Sequence, residues 1–409
     1  MHFMSFVKTS FKLWFSGGRY YWAWIVFLGL LIVSGAFAYR DQLADGLIVT
    51  NMRDPISWGF YIGNFTFLVG VAAAAVILVI PAYIYHWEPI KEVVLLGELL
   101  AISAIVMCFL FVTVDLGRPD RVLHLIPLIG SPNFPSSLLA WDVLVLNLYF
   151  ILNFFIVSYL LYNAFLGREY NKAVLLPLVL LSIPAAVSIH TVTAFLYNGL
   201  PARPFWNASI LAPRFLASAF CSGPAILLIL FQILRKTNGL KIKDAALSKI
   251  AELMAYAMFI NLFLFGAEIF KEYYSNTEHL VYTKVLFVSV LGKTSVHYFM
   301  WPALICSFLA FLLFLIPKTR RNIYTMNAGC LMIFFGVYTE KGLGLVIPGL
   351  TPDTLGEIYM YAPSLTEYRV AAGVFAVGFL IFTLMVKAAI SISLGETVML
   401  GDQSRDSRI

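Results

Sequence analysis

Ionisable side chains lie at or inside long apolar runs of this chain: Glu98, Asp115, Asp142, His190, Glu268, His297, Glu340 and Lys387. Charge in an apolar, spanning segment is costly and by default marks function. Asp and His suit proton work, because small changes of environment bring both to useful proton affinities. Side chains of complementary kinds stand near Asp142 and His190 in the order of the runs: Trp58, Tyr61 and Asn64, then Trp141 beside Asp142, then Ser188, Thr191 and Thr193 beside His190. Together they offer a carboxylate, an imidazole, hydroxyls, an amide and flat aromatic walls. A ring with two carbonyls, such as a quinone head, needs that set: hydrogen-bond partners at both oxygens, a proton source and sink, and apolar faces.

Those residues must be positioned by elements that live in lipid. The chain has 409 residues, of which 61% are hydrophobic and 12% charged, with a mean hydropathy of +0.86. A soluble domain is about 45–50% apolar and about 25% charged. Backbone polar groups in lipid must be satisfied internally, which leaves helices or a closed barrel. The apolar runs are about 20 residues long rather than alternating over about 10, so helices are expected. Ten runs are long enough to span: Tyr21–Ala38, Trp58–Tyr83, Val93–Val114, Ser137–Leu161, Val174–Leu196, Pro213–Leu234, Ile250–Phe270, Val296–Ile316, Ile323–Ile347 and Val370–Ser393. Val281–Leu291 is too short and reads as interfacial or re-entrant. The first run follows Lys8, Lys12 and Arg19 and ends in Ala36-Phe37-Ala38, like a signal peptide. Its length and its Trp22 and Trp24 favour a retained helix.

The larger share of Lys and Arg falls on the side of both termini, including Lys8, Lys12, Arg19, Arg405, Arg408 and the dense loop Arg235–Lys249 with its Lys241. The other side carries Arg40, Arg53, Arg118, Arg121, Arg203, Arg214, Lys271, Lys284, Lys293, Lys341 and Arg369. The bias predicts cytoplasmic termini. With that orientation Asp115, Asp142, His190 and Thr193 lie near the outer ends of spans 3, 4 and 5. Trp58, Tyr61 and Asn64 lie on the first turns of span 2, with 58, 61 and 65 sharing a face. The polar residues of four spans are thus expected to converge at one depth. Glu268, His297 and Glu340 lie toward the outer ends of spans 7, 8 and 9, as a second site, a coupling element or buried ion pairs with Lys271, Lys293 or Lys341. Glu98 lies near the cytoplasmic end of span 3, a candidate mouth for a proton path or a snorkelling carboxylate. Asp115, Glu268 and Glu340 are further candidates for that path. In Asp115-Leu116-Gly117-Arg118-Pro119 a turn after span 3 is expected to be stapled by an Asp115–Arg118 pair.

The order of these motifs resembles a known family. Trp58-Gly59-Phe60-Tyr61-Ile62-Gly63-Asn64 is followed by Asp115-Leu116-Gly117-Arg118-Pro119 and by Ser136-Ser137-Leu138-Leu139-Ala140-Trp141-Asp142. Then come Ser188-Ile189-His190-Thr191-Val192-Thr193-Ala194-Phe195, Pro201-Ala202-Arg203-Pro204-Phe205-Trp206 and Ala212-Pro213-Arg214-Phe215. Over nearly its whole length the chain is similar to the NrfD/PsrC family, the membrane subunits of polysulfide-reductase-type complexes. Ten spans resemble its longer branch, to which the DsrP and QrcD subunits of sulfate-reducer complexes belong. The resemblance implies an all-α integral membrane fold of two four-helix bundles, spans 2–5 (58–196) and 6–9 (213–347), flanked by the first and last helices. It implies menaquinone or another quinone bound near the extracytoplasmic side by Tyr61, Asn64, Asp142, His190 and Thr193, with Trp58 and Trp141 as aromatic walls. It implies a bacterial or archaeal cytoplasmic membrane and anaerobic respiration, with proton translocation a property that the resemblance leaves open. The implied partners are an extracytoplasmic ferredoxin-like subunit with four-iron clusters and further redox subunits: a multihaem cytochrome, or one of molybdopterin or heterodisulfide-reductase type.

Other functions fit less well. Cys108, Cys221, Cys306 and Cys330 all fall in apolar runs with no CxxC or Cys/His cluster, so no metal, disulfide framework or iron–sulfur cluster is expected in this chain. Bis-histidine haem needs paired imidazoles on facing helices, yet only His190 and His297 lie in or at spans; His2, His86, His124 and His279 do not. The net charge of +6 is dispersed, which argues against nucleic acid. A secondary transporter would use broken helices near the midplane. Pro184, Pro224 and Pro302 interrupt spans, but the charges gather near one face. That reading and a haem-free anchor or scaffold are the alternatives. The expected chain is a subunit of a quinone-linked oxidoreductase with no redox centre of its own.

Overall fold

The computed structural model describes residues 2–393 except Pro127, Leu128, Gly239, Lys241, Lys293 and Thr294. Lys241, Lys293, Arg405 and Arg408, used above for orientation, lie outside the described residues. The protein is all-α. Among the described residues there is no β-strand, and an isolated bridge joins Arg53 to Ile56. Ten helices there are long and apolar enough to cross a membrane: α1 (Arg19–Asp45), α2 (Phe60–Ile84), α3 (Val93–Asp115), α4 (Leu138–Phe165), α5 (Lys172–Asn198), α6 (Leu211–Thr237), α7 (Asp244–Ser275), α8 (His297–Leu315), α9 (Ile323–Leu350) and α10 (Leu365–Ile392). The short run expected to be interfacial is the helix Leu280–Phe287. We call upper the end where α2, α4, α6, α8 and α10 begin.

Local sequence sets where these helices start and bend. Ser137 Oγ accepts from Ala140 N at 3.3 Å, Asn171 Oδ1 from Ala173 N at 2.9 Å and Asn322 Oδ1 from Tyr324 N at 2.9 Å, capping α4, α5 and α9. At Pro81 the lower end of α2 widens into a π turn, Ile80–Ile84, because proline cannot supply the ladder N–H. In α9 the helix breaks at Gly342 between Ile323–Lys341 and Leu343–Leu350.

Packing follows the helix faces. α2 lies on α3, α4 on α5, α6 on α7 and α8 on α9; α6 also contacts α9, α2 and α5. α1 runs along α10, which in turn packs on α3. At that outer seam a Cβ on Gly35 would sit 2.8 Å from the Gly373 Cα. Small residues permit this close backbone approach, the usual route to helix association in lipid. α2 and α3 are buried on nearly all sides. α1, α7 and α8 instead present exposed apolar faces, such as Phe259, Phe263, Trp301 and Phe308, as lipid-facing helices must.

Candidate functional site

The upper half holds a polar column built mainly by α5. His190, Thr193 and Tyr197 are spaced i, i+3, i+7, one face of a helix, and all three are buried. Thr193 Oγ1 donates to Asp142 Oδ1 on α4 at 2.7 Å, and Asp142 is 1% exposed. The Tyr197 hydroxyl forms a short hydrogen bond with Thr66 Oγ1 of α2. Its ring meets Trp58, Trp206 and Phe215 edge-on, with centroids 5.4, 5.1 and 6.0 Å away. Trp206 is anchored by donating to Leu345 O at 2.8 Å. Above the two tryptophans a cavity of about 310 Å³ opens, lined by Ser57, Trp58, Leu200, Pro201, Ala202, Arg203, Trp206 and Leu350.

His190 is the chemically unfinished member of this column. It is 1% exposed, and Nδ1 lies 3.1 Å from Ala186 O, one turn back on its own helix. Nε2 is buried and has no hydrogen-bond partner among the described residues. Buried polar atoms are nearly always paired, so an orphan one at a polar site calls for an explanation. If Nδ1 is the protonated nitrogen, as its carbonyl partner favours, Nε2 is an acceptor; in the imidazolium form both nitrogens donate. The ring can therefore accept or give a proton toward a ligand in the column, with the Asp142 carboxylate and its Thr193 donor alongside.

The remaining expected residues divide among other faces. The helix starts at Phe60, so Trp58 precedes it and does not share a helical face with Tyr61 and Phe65. Trp58 joins the α5 column, whereas the Tyr61 hydroxyl donates to Gln42 Oε1 of α1 at 2.8 Å, and Gln42 Nε2 donates to Val114 O at 2.6 Å. Asn64 turns toward α9, accepting from the Tyr338 hydroxyl at 2.7 Å while its Nδ2 donates to Phe60 O. Trp141 donates to Pro135 O at 2.8 Å and packs on Phe134, away from the buried side that Asp142 occupies. The residues expected to converge from spans 2–5 thus fall into three hydrogen-bonded sets: the α5 column, Tyr61 with α1, and Asn64 with α9. Glu98 is buried in the lower half of α3 with Oε2 unpartnered, far down the helix from the column.

Two expected ion pairs are corrected. Arg118 pairs not with Asp115 but with Asp120, at 2.8 Å; this hydrogen-bonded pair holds the exposed Asp120 carboxyl below its ordinary range. Asp115 ends α3 with Oδ1 buried and unpartnered. The partner of Glu268 and Glu340 is Arg214, counted above among the outer-side cations at the start of span 6; it is 6% exposed inside α6. Its Nη1 pairs with Glu268 of α7 and its Nη2 lies 2.8 Å from Glu340 Oε1 of α9. Asn261 Nδ2 adds a hydrogen bond to Glu340 Oε2 at 3.1 Å, and the guanidinium lies over the Phe265 ring. Lys341, also counted above among the outer-side cations, is buried and donates to Phe215 O at 2.8 Å. This cluster ties α6, α7 and α9 together by paired charges. His297 is not part of it: its Nδ1 is buried and unpartnered at the start of α8. Lys387 lies over the Tyr21 ring at 3.4 Å, toward the lower end of α10.

The hydrogen-bonding partners not singled out from the sequence are Thr66, Tyr197, Gln42, Tyr338, Asn261 and Glu367. The last accepts from Asn51 N, Ser364 N and the Tyr361 hydroxyl, and that hydroxyl in turn accepts from Phe60 N at 2.7 Å. Burial, with Glu367 beside it, pushes the Tyr361 hydroxyl well above its ordinary range. Tyr197 had a readable signal in its helical spacing from His190 and Thr193; Gln42 and Glu367 lay beyond the hydropathy-defined ends of their spans.

A ten-helix apolar bundle defines a multi-pass membrane protein, and the buried polar column with the aromatic-walled cavity near it is its candidate site. The chain belongs to the polysulphide reductase NrfD family, whose model matches residues 48–352. It is similar to a putative dimethyl sulfoxide reductase membrane subunit of Halobacterium salinarum, 27% identical over 394 residues and 88% of each chain. A selenate reductase subunit of Mesobacillus selenatarsenatis is 23% identical, with 88% of this chain and 92% of the relative covered. The Hdr-like menaquinol oxidoreductase integral membrane subunit of Archaeoglobus fulgidus is 22% identical, with 90% and 92% covered.

Proposed function

We propose that this chain is the quinone-reactive membrane subunit of a multi-subunit oxidoreductase, exchanging electrons between quinone or quinol and a partner iron–sulfur subunit. The relatives bear the names of reductase and oxidoreductase subunits, two of them membrane subunits, and one is named for menaquinol. The observation that carries the reading is the orphan His190 Nε2 beside the Thr193–Asp142 hydrogen bond, below the Trp58–Trp206 cavity. These residues fit a quinone head: a polar atom awaits a carbonyl or hydroxyl, and the walls are flat and apolar.

When bound, the quinone supplies two-electron, two-proton chemistry. His190 positions and exchanges a proton at Nε2. Asp142 holds or relays the second, and Thr193 fixes its carboxylate. Trp58, Trp206 and Tyr197 wall the head and exclude water. Tyr61 and Asn64 act at one remove, by fixing the upper turns of α2 against α1 and α9. In this reading the four-helix units 58–196 and 213–347 are joined by the contacts of α6 with α2 and α5. Both termini are cytoplasmic, and the upper end faces outward. Exposed apolar residues in the upper loops, among them Leu123, Ile129, Phe134, Leu355 and Met360, support docking of a cluster-bearing subunit there. Arg214 is too buried to take part in that docking.

The test is quinol turnover by the assembled complex. Removing a general acid or base typically costs about 10²–10⁴-fold in rate, so Asp142→Asn and His190→Ala should each lose that much while the complex still assembles. Near wild-type rates in both would remove the column from the mechanism.

A further inference from the structure

At the opposite, lower end a second cavity has no part in this chemistry. It measures about 1170 Å³ and lies where α6, α7 and α9 leave their apolar stretches, with Arg235, Lys236, Lys249 and Arg321 in its lining beside Gln232, Tyr324 and Asn327. Its carboxylates are already committed: Asp244 pairs with Arg235 at 2.7 Å, and Glu252 with Lys249 at 3.1 Å and Arg320 at 3.3 Å. Among the described residues Lys236 and Arg321 have no ion-pair partner. The cavity therefore carries uncompensated positive charge at the level where a bilayer places its headgroups.

Another cavity adjoins it, about 510 Å³ and almost wholly apolar, lined by Ile77, Ile80, Pro81, Tyr85, Phe220 and Leu253. Trp87 and Lys249 line both. The apolar cleft runs between the π-turn end of α2 and helices α6 and α7, at the seam between the chain's two halves. A charged chamber beside an apolar cleft, with Trp87 and Lys249 in the wall of both, matches an amphiphile with an anionic head. We propose that this pair of cavities binds one anionic phospholipid, its phosphate against Lys236 and Arg321 and an acyl chain in the α2–α6–α7 cleft. Charge complementarity selects the anionic head, since a zwitterionic head brings its own cation and leaves the unpaired cations uncompensated. The bound lipid fills the seam between the halves and stiffens their packing. Basic recesses between membrane helices are a recurrent way of holding such headgroups.

Purified complex, delipidated by detergent exchange, tests this with four added probes: phosphatidylglycerol, phosphatidylcholine, inorganic phosphate and a short-chain quinone. Lipid retained per chain is counted by native mass spectrometry, and thermal stability is followed in parallel. Phosphatidylglycerol alone should be retained and should stabilise the complex. Each cation near an anionic headgroup contributes about fivefold in affinity, so Lys236→Gln with Arg321→Gln should weaken phosphatidylglycerol binding about 30-fold. Arg118→Gln, at the upper end, should leave it unchanged. Both substitutions in the pair are at exposed positions, and unchanged helicity confirms that the variant folds. Equal retention of phosphatidylcholine, equal stabilisation by inorganic phosphate, displacement by the quinone, or undiminished binding in the double variant would each overturn the assignment. Quinol turnover through His190 is a separate readout and does not decide this one.

Discussion

Arg214 is the cation that Glu268 and Glu340 share, and Arg214→Gln removes it. The guanidinium reaches both carboxylates at once, from α6 to α7 and α9. A glutamine amide is shorter and neutral, so it can serve at most one of them. With Lys341 present the cluster of four charged residues is formally neutral; without Arg214 it carries net negative charge in a buried site. Breaking a buried pair by removing one partner costs about 3–5 kcal/mol, since the remaining charge is uncompensated. That is roughly a hundred- to several-thousand-fold in the folded-to-unfolded ratio. Unfolding in mixed detergent micelles, followed by helicity and tryptophan fluorescence, measures it. The triple variant Arg214→Gln, Glu268→Gln, Glu340→Gln should regain most of the loss, because neutral side chains of similar size no longer strand a charge. A single variant as stable as wild type, or a triple variant no better than the single one, would refute the reasoning.

Thr193→Val deletes the donor to Asp142 while keeping shape, and should lower quinol turnover roughly tenfold, with Thr193→Ser restoring it; hydrogen bonds to charged groups are worth about 1.5–3 kcal/mol. Gly35→Val forces α1 away from α10 at Gly373 and should cost about 1–3 kcal/mol in unfolding measurements, with turnover per folded complex little changed. For orientation, a cysteine in place of the exposed Leu355 should react with a membrane-impermeant maleimide in intact cells, and one in place of Lys236 only after permeabilisation. The reverse pattern would invert the topology and the docking argument with it.

The helices were legible because hydropathy alone reveals a segment that must satisfy its own backbone in lipid. Their ends were less so. α7 begins at Asp244, six residues before the apolar run from Ile250, since a polar turn at the interface continues a helix without adding hydropathy. The same blindness applies to Arg214 and Lys341, which stand toward the ends of apolar runs and count as outer-side cations until the third dimension pairs or buries them. Asp142 and Thr193 were legible from span depth, as the antiparallel order of α4 and α5 sets both near the upper end. Tyr61 shows where that argument stops. Depth says which residues share a layer, but rotation about the helix axis decides which neighbour each one meets, and Gln42 was beyond the reach of periodicity.

The most direct test of the central claim is to map where a quinone binds. A photoreactive quinone analogue is crosslinked to the intact complex, and the labelled peptides are sequenced. The account predicts adducts on the upper α5 segment from His190 to Tyr197 and on Trp58 or Trp206, competed away by native quinone and lost in His190→Ala. Competed labelling confined to the lower cleft around Tyr85 and Trp87, with none on α5, would contradict it.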